Sequence, residues 1–217
     1  NTGVSLERLP IFPLPDVVLF PHALLPLHIF EPRYRALARD VLAGDRTLSI
    51  VRLKPGFERD YEGRPPIYDV AGLGEVIQSR QLDDGRYDML VRGLGRIRIE
   101  REHPPEQPYR VVLARQLHDE YSGADLGVLA TTLQALAERL ATALPQGGEV
   151  LRAIIRDAAE PGALADVLAA SVIVDPNQRQ RLIETVDVAG RLQRVGEAIA
   201  ELLRRLPTPA GTGGPVN

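Results

Sequence analysis

The residues of this chain that could do chemistry are few and widely spaced. Without cysteine there is no thiolate nucleophile, no disulfide framework and no Cys-based zinc or iron-sulfur site. The histidines, His22, His28, His103 and His118, form no HExxH or other tight ligand pattern. Spacing alone does not exclude a metal site built from His22, His28 and Asp16. His22 stands beside a proline in "FPH" and His28 within an apolar strand, so a packed or surface imidazole is the simpler reading and no metal is expected. Paired carboxylates occur at Asp83-Asp84 and Asp119-Glu120. Glycosidase chemistry needs carboxyl groups ~5 to 9 Å apart across a cleft, whereas adjacent acids read as solvated turn formers.

Lys54 is the sole lysine, and it sits in "RLKPGF". The chain therefore lacks the GxxxxGK loop whose lysine reaches the β and γ phosphates of ATP. A Ser-Lys hydrolase would have to join Lys54 to Ser49, or to the distant Ser5, Ser79, Ser122 or Ser171, with nothing local to depress the amine's pKa. GxSxG is absent as well. The pairs "GLGEVI" (72–77) and "GLGRIRI" (93–99) lack the third glycine of a dinucleotide fingerprint and run into strands, whereas that fingerprint opens a helix. No catalytic residue and no cofactor are expected.

The stretch "FEPRY" (30–34) cuts an apolar run with a carboxylate, a proline, an arginine and a tyrosine in consecutive order. Pro32 has no N–H to lose in a first helical turn, and Glu31 just before it can accept bonds from the free N–H groups there. The motif thus reads as a strand-to-helix junction. The helix predicted from Pro32 to about Leu42 places Tyr34, Leu37, Ala38 and Val41 on one side, and Gly44 is expected to end it in a left-handed conformation. Arg33 or Arg35 pairs with Glu31 or lies over the sheet, and Arg33 and Tyr34 are candidate surface contacts.

These residues must be carried by two regions of different period. "VVLF" (17–20), "LLPLHIF" (24–30) and "TLSIVRL" (47–53) are strand candidates. The prolines at 13, 15, 21 and 26 push the first two to edges or bends, because proline cannot donate to a ladder. "LGEVIQSRQL" and "RYDMLVRG" form a hairpin across "DDG", with Gly85 at positive φ and Tyr87, Met89 and Val91 on one face. "RIRIE" turns its arginines outward and Ile97 and Ile99 inward. Short strands with Gly and Pro turns suggest a small barrel. From Leu126 through Leu129, Leu133, Leu136 and Leu140 the period becomes helical, over about 125–144. Further helices are predicted at 148–159, 162–173, 177–184 and 187–206, with Asp175 and Asp187 as caps. The organisation is α+β: a β-rich part over 1–120, a helical bundle over 121–206, and a tail at 207–217 expected to be disordered.

The formal charge is −3, and neither part carries more basic than acidic side chains, which weakens a nucleic-acid reading. No segment approaches the ~20 apolar residues of a membrane span and the first residues lack a secretory pattern, so a cytoplasmic location without membrane attachment is expected.

Taken in order, "LPIFPLPDVVLFPHALLPLHIFEPRYRAL" (9–37), "GLGEVIQSRQLDDGRYDMLVRGLGRIRI" (72–99) and "LADVLAASVIVDPNQRQRLIETVDVAGRLQRVGEAI" (164–199) resemble the Lon-protease N-terminal, or Lon substrate-binding, domain. The resemblance covers about 9–206. It implies a PUA-like β-pseudobarrel followed by a C-terminal helical bundle, in a bacterial stand-alone member without the ATPase and protease domains. Phe20, Pro21, Pro26, Glu31, Pro32 and Gly93 are the expected fold markers. The implied role is a noncatalytic module binding protein or peptide, with unfolded or exposed apolar segments received at the seam between barrel and bundle. Because PUA-like folds also serve RNA, an RNA-binding module is the alternative, with Arg92, Arg96 and Arg98 as its candidate contacts and Glu100 and Glu102 diluting them. An uncharacterised small-molecule enzyme would require His28 and Glu31 to converge in one pocket.

Overall fold

The computed structural model describes residues 6–207, so the expected disordered tail at 207–217 lies, except for Pro207, outside the described residues. The first part contains β1 (Leu9–Leu14), β2 (Leu24–Ile29), α1 (Pro32–Ala43), β3 (Thr47–Arg52), a 3-10 turn (Phe57–Asp60), β4 (Val70–Gln81), β5 (Tyr87–Glu102) and β6 (Val111–Leu117). The second contains α2 (Leu126–Ala143), α3 (Gly148–Asp157), α4 (Pro161–Val172), α5 (Pro176–Glu184) and α6 (Val188–Arg205). The strands form one sheet in the order β2-β5-β4-β3-β1-β6. The far half of β5 also pairs with β6, which closes the last five strands into a pseudobarrel and leaves β2 as an added edge.

Two proline-rich stretches behave differently from the sequence expectation. "LPIFPL" forms β1, parallel to β3 and paired with β6 only through Leu9 and Pro10. Ile11 still donates to the Arg110 carbonyl, but β6 has left the ladder by Pro13, so the donor that proline lacks has no strand to serve. "VVLF" is not a strand. It crosses the sheet face-on, bracketed by Asp16 and His22, which both adopt positive φ (56° and 69°). Two glycines make room for it. A Cβ on Gly72 would stand 2.0 Å from the Leu19 carbonyl oxygen, and one on Gly93 would stand 1.9 Å from that of Phe20. At Gly93, as at Gly72, only a hydrogen fits beneath the crossing backbone.

The crossing segment divides its side chains between two cores. Leu19 enters the barrel core with Ile50, Val76 and Met89, whereas Val18 and Phe20 enter the helical core with Leu133, Leu164, Ile183 and Leu192. Pro21 is buried behind them. Pro26 lies in β2, an edge strand, as a missing donor requires. In α1 the predicted side, Tyr34, Leu37, Ala38 and Val41, is buried. Gly44 does not take the left-handed conformation: its φ is −101°, and Arg46 at φ 63° makes the turn into β3.

In the helical part Leu133 and Leu140 of the predicted stripe are fully buried, and Asp125, Asp175 and Asp187 cap α2, α5 and α6 by accepting from Val128, Asn177 and Gly190. A chain of buried ions joins this part to the barrel. Arg96 of β5, only 3% exposed, donates from both terminal nitrogens to Asp166 of α4 (2.9 and 2.6 Å) and from Nε to the Ile183 carbonyl. Arg191 of α6 sits with its Nε 3.2 Å from Asp166, too far out of line to count as a hydrogen bond, and grips Asp119 with its two terminal nitrogens (2.9 and 3.1 Å). Arg52 adds a second tie, donating to the Pro176 carbonyl and to Asn177 Oδ1.

Candidate functional site: a cleft at the seam

Where the crossing segment meets the corner between α3 and α4, the surface folds inward into a cleft of about 820 Å³, within the range of ligand sites. Val17, Leu24 and Leu25 form its barrel wall, and Ile154, Ala158, Ala163 and Val167 its helical wall. Local sequence explains the volume. The positive-φ bend at His22 swings Leu24 outward, leaving it 57% exposed, while the corner is built from alanines at 158, 159 and 163 where larger residues would fill the space. Tyr121, 71% exposed in the connection to α2, stands at the mouth.

Arg179 of α5 closes the inner wall. Its Nη1 donates to the carbonyls of Ala169, Ala170 and Ile173 at the C-terminal end of α4, its Nη2 donates to the Val18 carbonyl, and the guanidinium lies 5.1 Å from the Phe20 ring centre. Burial pushes its pKa down from the ordinary arginine value. This one side chain fixes the crossing segment against the helix that faces it. At the rim, Asp157 and Glu160 make no ion pair among the described residues, and Glu160 precedes α4 without a side-chain cap bond.

None of the four contacts expected from sequence lines this cleft. Arg96 is interior, because α4 and α5 cover the face of β5 that the alternation of "RIRIE" assigns to solvent. Tyr34 is also interior, stacked on Phe12 with ring centres 4.2 Å apart, and burial raises its pKa to about 12. Arg33 lies between the rings of Tyr34 and Tyr61 and pairs with Glu31 (3.1 Å). Arg92 is exposed but paired with Glu75 (3.0 Å). Glu31 precedes Pro32 at the start of α1 as expected, yet its carboxylate does not cap the helix; it accepts from Arg33 and from the Tyr61 hydroxyl (2.8 Å), tying down the loop before β4. Asp119, read as a solvated turn former, is partly exposed at the cleft and pairs with the buried Arg191.

The groups that an enzyme would need together are apart. His28 pairs with Asp88 (2.7 Å) on the exposed side of β2, and Glu31 is engaged with Tyr61. Among the described residues no three His, Asp or Glu side chains gather to hold a metal, and no helix is long and apolar enough to cross a membrane.

Arg179, Tyr121 and the alanine corner are the features that sequence reasoning missed. "PG" at 161–162 marks the corner as a helix boundary, but no periodicity pairs it with residues 17–25. That juxtaposition exists only through the tertiary fold.

Comparison with known proteins agrees with this architecture. The N-terminal domain of Mycobacterium avium complex Lon protease superimposes with a TM-score of 0.73 at 17% identity, covering 90% of this chain and 99% of that one. The Lon N-terminal domain protein from Xanthomonas campestris gives 0.59 at 23% identity, covering 92% and 99%. Lon protease 2 of Myxococcus xanthus is 28% identical over 195 residues, 89% of this chain and 23% of that protein. The Lon protease of Dictyoglomus thermophilum is 29% identical over 191 residues, 87% and 24%. The chain thus spans about a quarter of the length of these curated relatives. Residues 8–201 match the ATP-dependent protease La (LON) substrate-binding domain, and the chain belongs to that family.

Proposed function

We propose that this chain is a noncatalytic binding module of the cytoplasm that receives a protein or peptide segment with exposed apolar side chains in the seam cleft. The observation that carries the reading is the cleft itself: a large concavity with apolar walls, with Leu24 and Tyr121 held open to solvent at its mouth. A large aliphatic side chain left in water forgoes about 1.5–3 kcal/mol, and a bound segment recovers part of that. Segments presenting leucine, valine or phenylalanine, as unfolded chains do, supply the complementary surface. Family membership points the same way, since the family is defined by substrate binding. Strand addition at the free edge of β2 is the less suitable mode, because Pro26 withholds a donor from the middle of that strand.

An RNA-binding role lacks comparable support. Of the arginines it invokes, Arg96 is interior, Arg92 is neutralised by Glu75, and Arg98 stands opposite Arg115, which pairs with Glu100.

The test is fluorescence anisotropy with an apolar peptide on the wild type and on a Leu24→Ser/Tyr121→Ser double variant. Both side chains are exposed, so folding is preserved, and affinity is expected to fall about tenfold, equivalent to about 1.4 kcal/mol. Unchanged affinity removes the cleft as the binding surface.

A further inference from the structure

The charges around the cleft are unevenly committed. Its cation, Arg179, is surrounded by four backbone carbonyls and faces no carboxylate. Asp119 is neutralised by Arg191. The N-terminus of α4 opens onto the cleft, but Glu160 stands over it as the residue before Pro161. Asp157 ends α3, and the neighbouring Arg156 neither lines the cleft nor pairs with it. His22 is exposed on the opposite rim. Two carboxylates, Asp157 and Glu160, therefore remain at the mouth of an apolar cavity without a counter-ion among the described residues.

Resting on the binding role proposed above, we infer that the cleft selects apolar segments flanked by lysine or arginine and rejects acidic flanks, with Asp157 and Glu160 as the residues that set this preference. The apolar core of the ligand fills the space between Leu24 and Val167, and its basic flank lies over the α3–α4 corner. Each exposed pair contributes modestly and is screened within a Debye length of about 8 Å at physiological salt, so the two together amount to about a three- to tenfold preference in affinity. Like charges at the same positions oppose binding by a similar factor.

The test uses three dansyl-labelled peptides that share one leucine- and valine-rich core, flanked by lysine, by glutamate or by serine. Binding is measured on the whole chain at one fixed pH near 8. The lysine-flanked peptide is expected to bind about three- to tenfold tighter than the serine-flanked one, and the glutamate-flanked peptide to bind more weakly than both. In an Asp157→Asn/Glu160→Gln variant, and in high salt, the spread should contract to about twofold while the serine-flanked affinity holds. Equal affinities in the wild type, or a preference that survives the substitutions, overturn the charge selection while leaving the apolar binding role intact. A serine-flanked peptide that the wild type does not hold overturns both.

Discussion

Replacing Asp166 with alanine removes the shared counter-ion of two buried arginines. Arg96 loses two hydrogen bonds to the carboxylate, at 2.9 and 2.6 Å, and retains only the Ile183 and Leu182 carbonyls. Arg191 loses an anion 3.2 Å from its Nε and retains Asp119. Because Arg96 and Asp166 are both almost wholly buried, water cannot replace the lost partner, and breaking such a pair from one side costs about 3–5 kcal/mol. With a urea m-value of ~2 kcal/mol/M, that lowers the unfolding midpoint by about 2 M. Circular dichroism across a urea series measures it. The companion variant Arg96→Met/Asp166→Leu removes the Arg96–Asp166 pair, leaves Arg191 its two bonds to Asp119, and should recover part of the loss, since an apolar pair of similar volume carries no desolvation cost. A midpoint shift below about 0.5 M for Asp166→Ala refutes the assignment of the ion chain as the joint between barrel and bundle. So does a double variant as unstable as the single one.

Gly93→Ala should destabilise the fold by about 3 kcal/mol, because the new methyl meets the Phe20 carbonyl rather than a yielding side chain; Gly123→Ala, with nothing nearby, should stay within about 0.5 kcal/mol, both read from urea midpoints. Glu31→Ala should cost about 1 kcal/mol and speed amide exchange around the 3-10 turn at 57–60, where Tyr61 is released; faster exchange confined to the first turn of α1 would restore the capping role that the geometry denies. In an alkaline absorbance titration Tyr34 and Tyr109 should ionise above the ordinary tyrosine value near 10. Burial raises Tyr34 to about 12, and burial together with a hydrogen bond to Asp40 raises Tyr109 further. A folded-state pKa above the unfolded value near 10 gives stability that is intact below pH ~10 and lost as pH climbs through the folded values, so alkaline unfolding should accompany the late ionisations.

Helix positions were legible because their causes are local. The leucine spacing from 126 to 140 and the caps at Asp175 and Asp187 each act within a turn or two of themselves. The hairpin was legible for the same reason, with Gly85 at φ 87° closing its turn. Arg96 was misplaced because a two-residue alternation identifies two faces without saying whether a helix covers the outer one. "VVLF" has strand composition, yet it crosses two glycines face-on and cannot join the ladder. The cleft lies further from view, since its walls come from distant parts of the chain and its space from alanines, which no periodicity marks as special.

Val18 and Phe20, side chains of the N-terminal part, sit among the helices, and Val70 of β4 joins them there. A scissor cut near residue 120, which the change of period invites, would leave the helices with a vacant slot and strand those three residues in water. A fragment containing only 121–206 is therefore expected to associate or collapse when expressed alone, and to recover its native spectrum when the complementary 1–120 piece is supplied in trans. The chain divides by composition but is expected to fold as one unit, so a transplant into another protein is expected to require both halves.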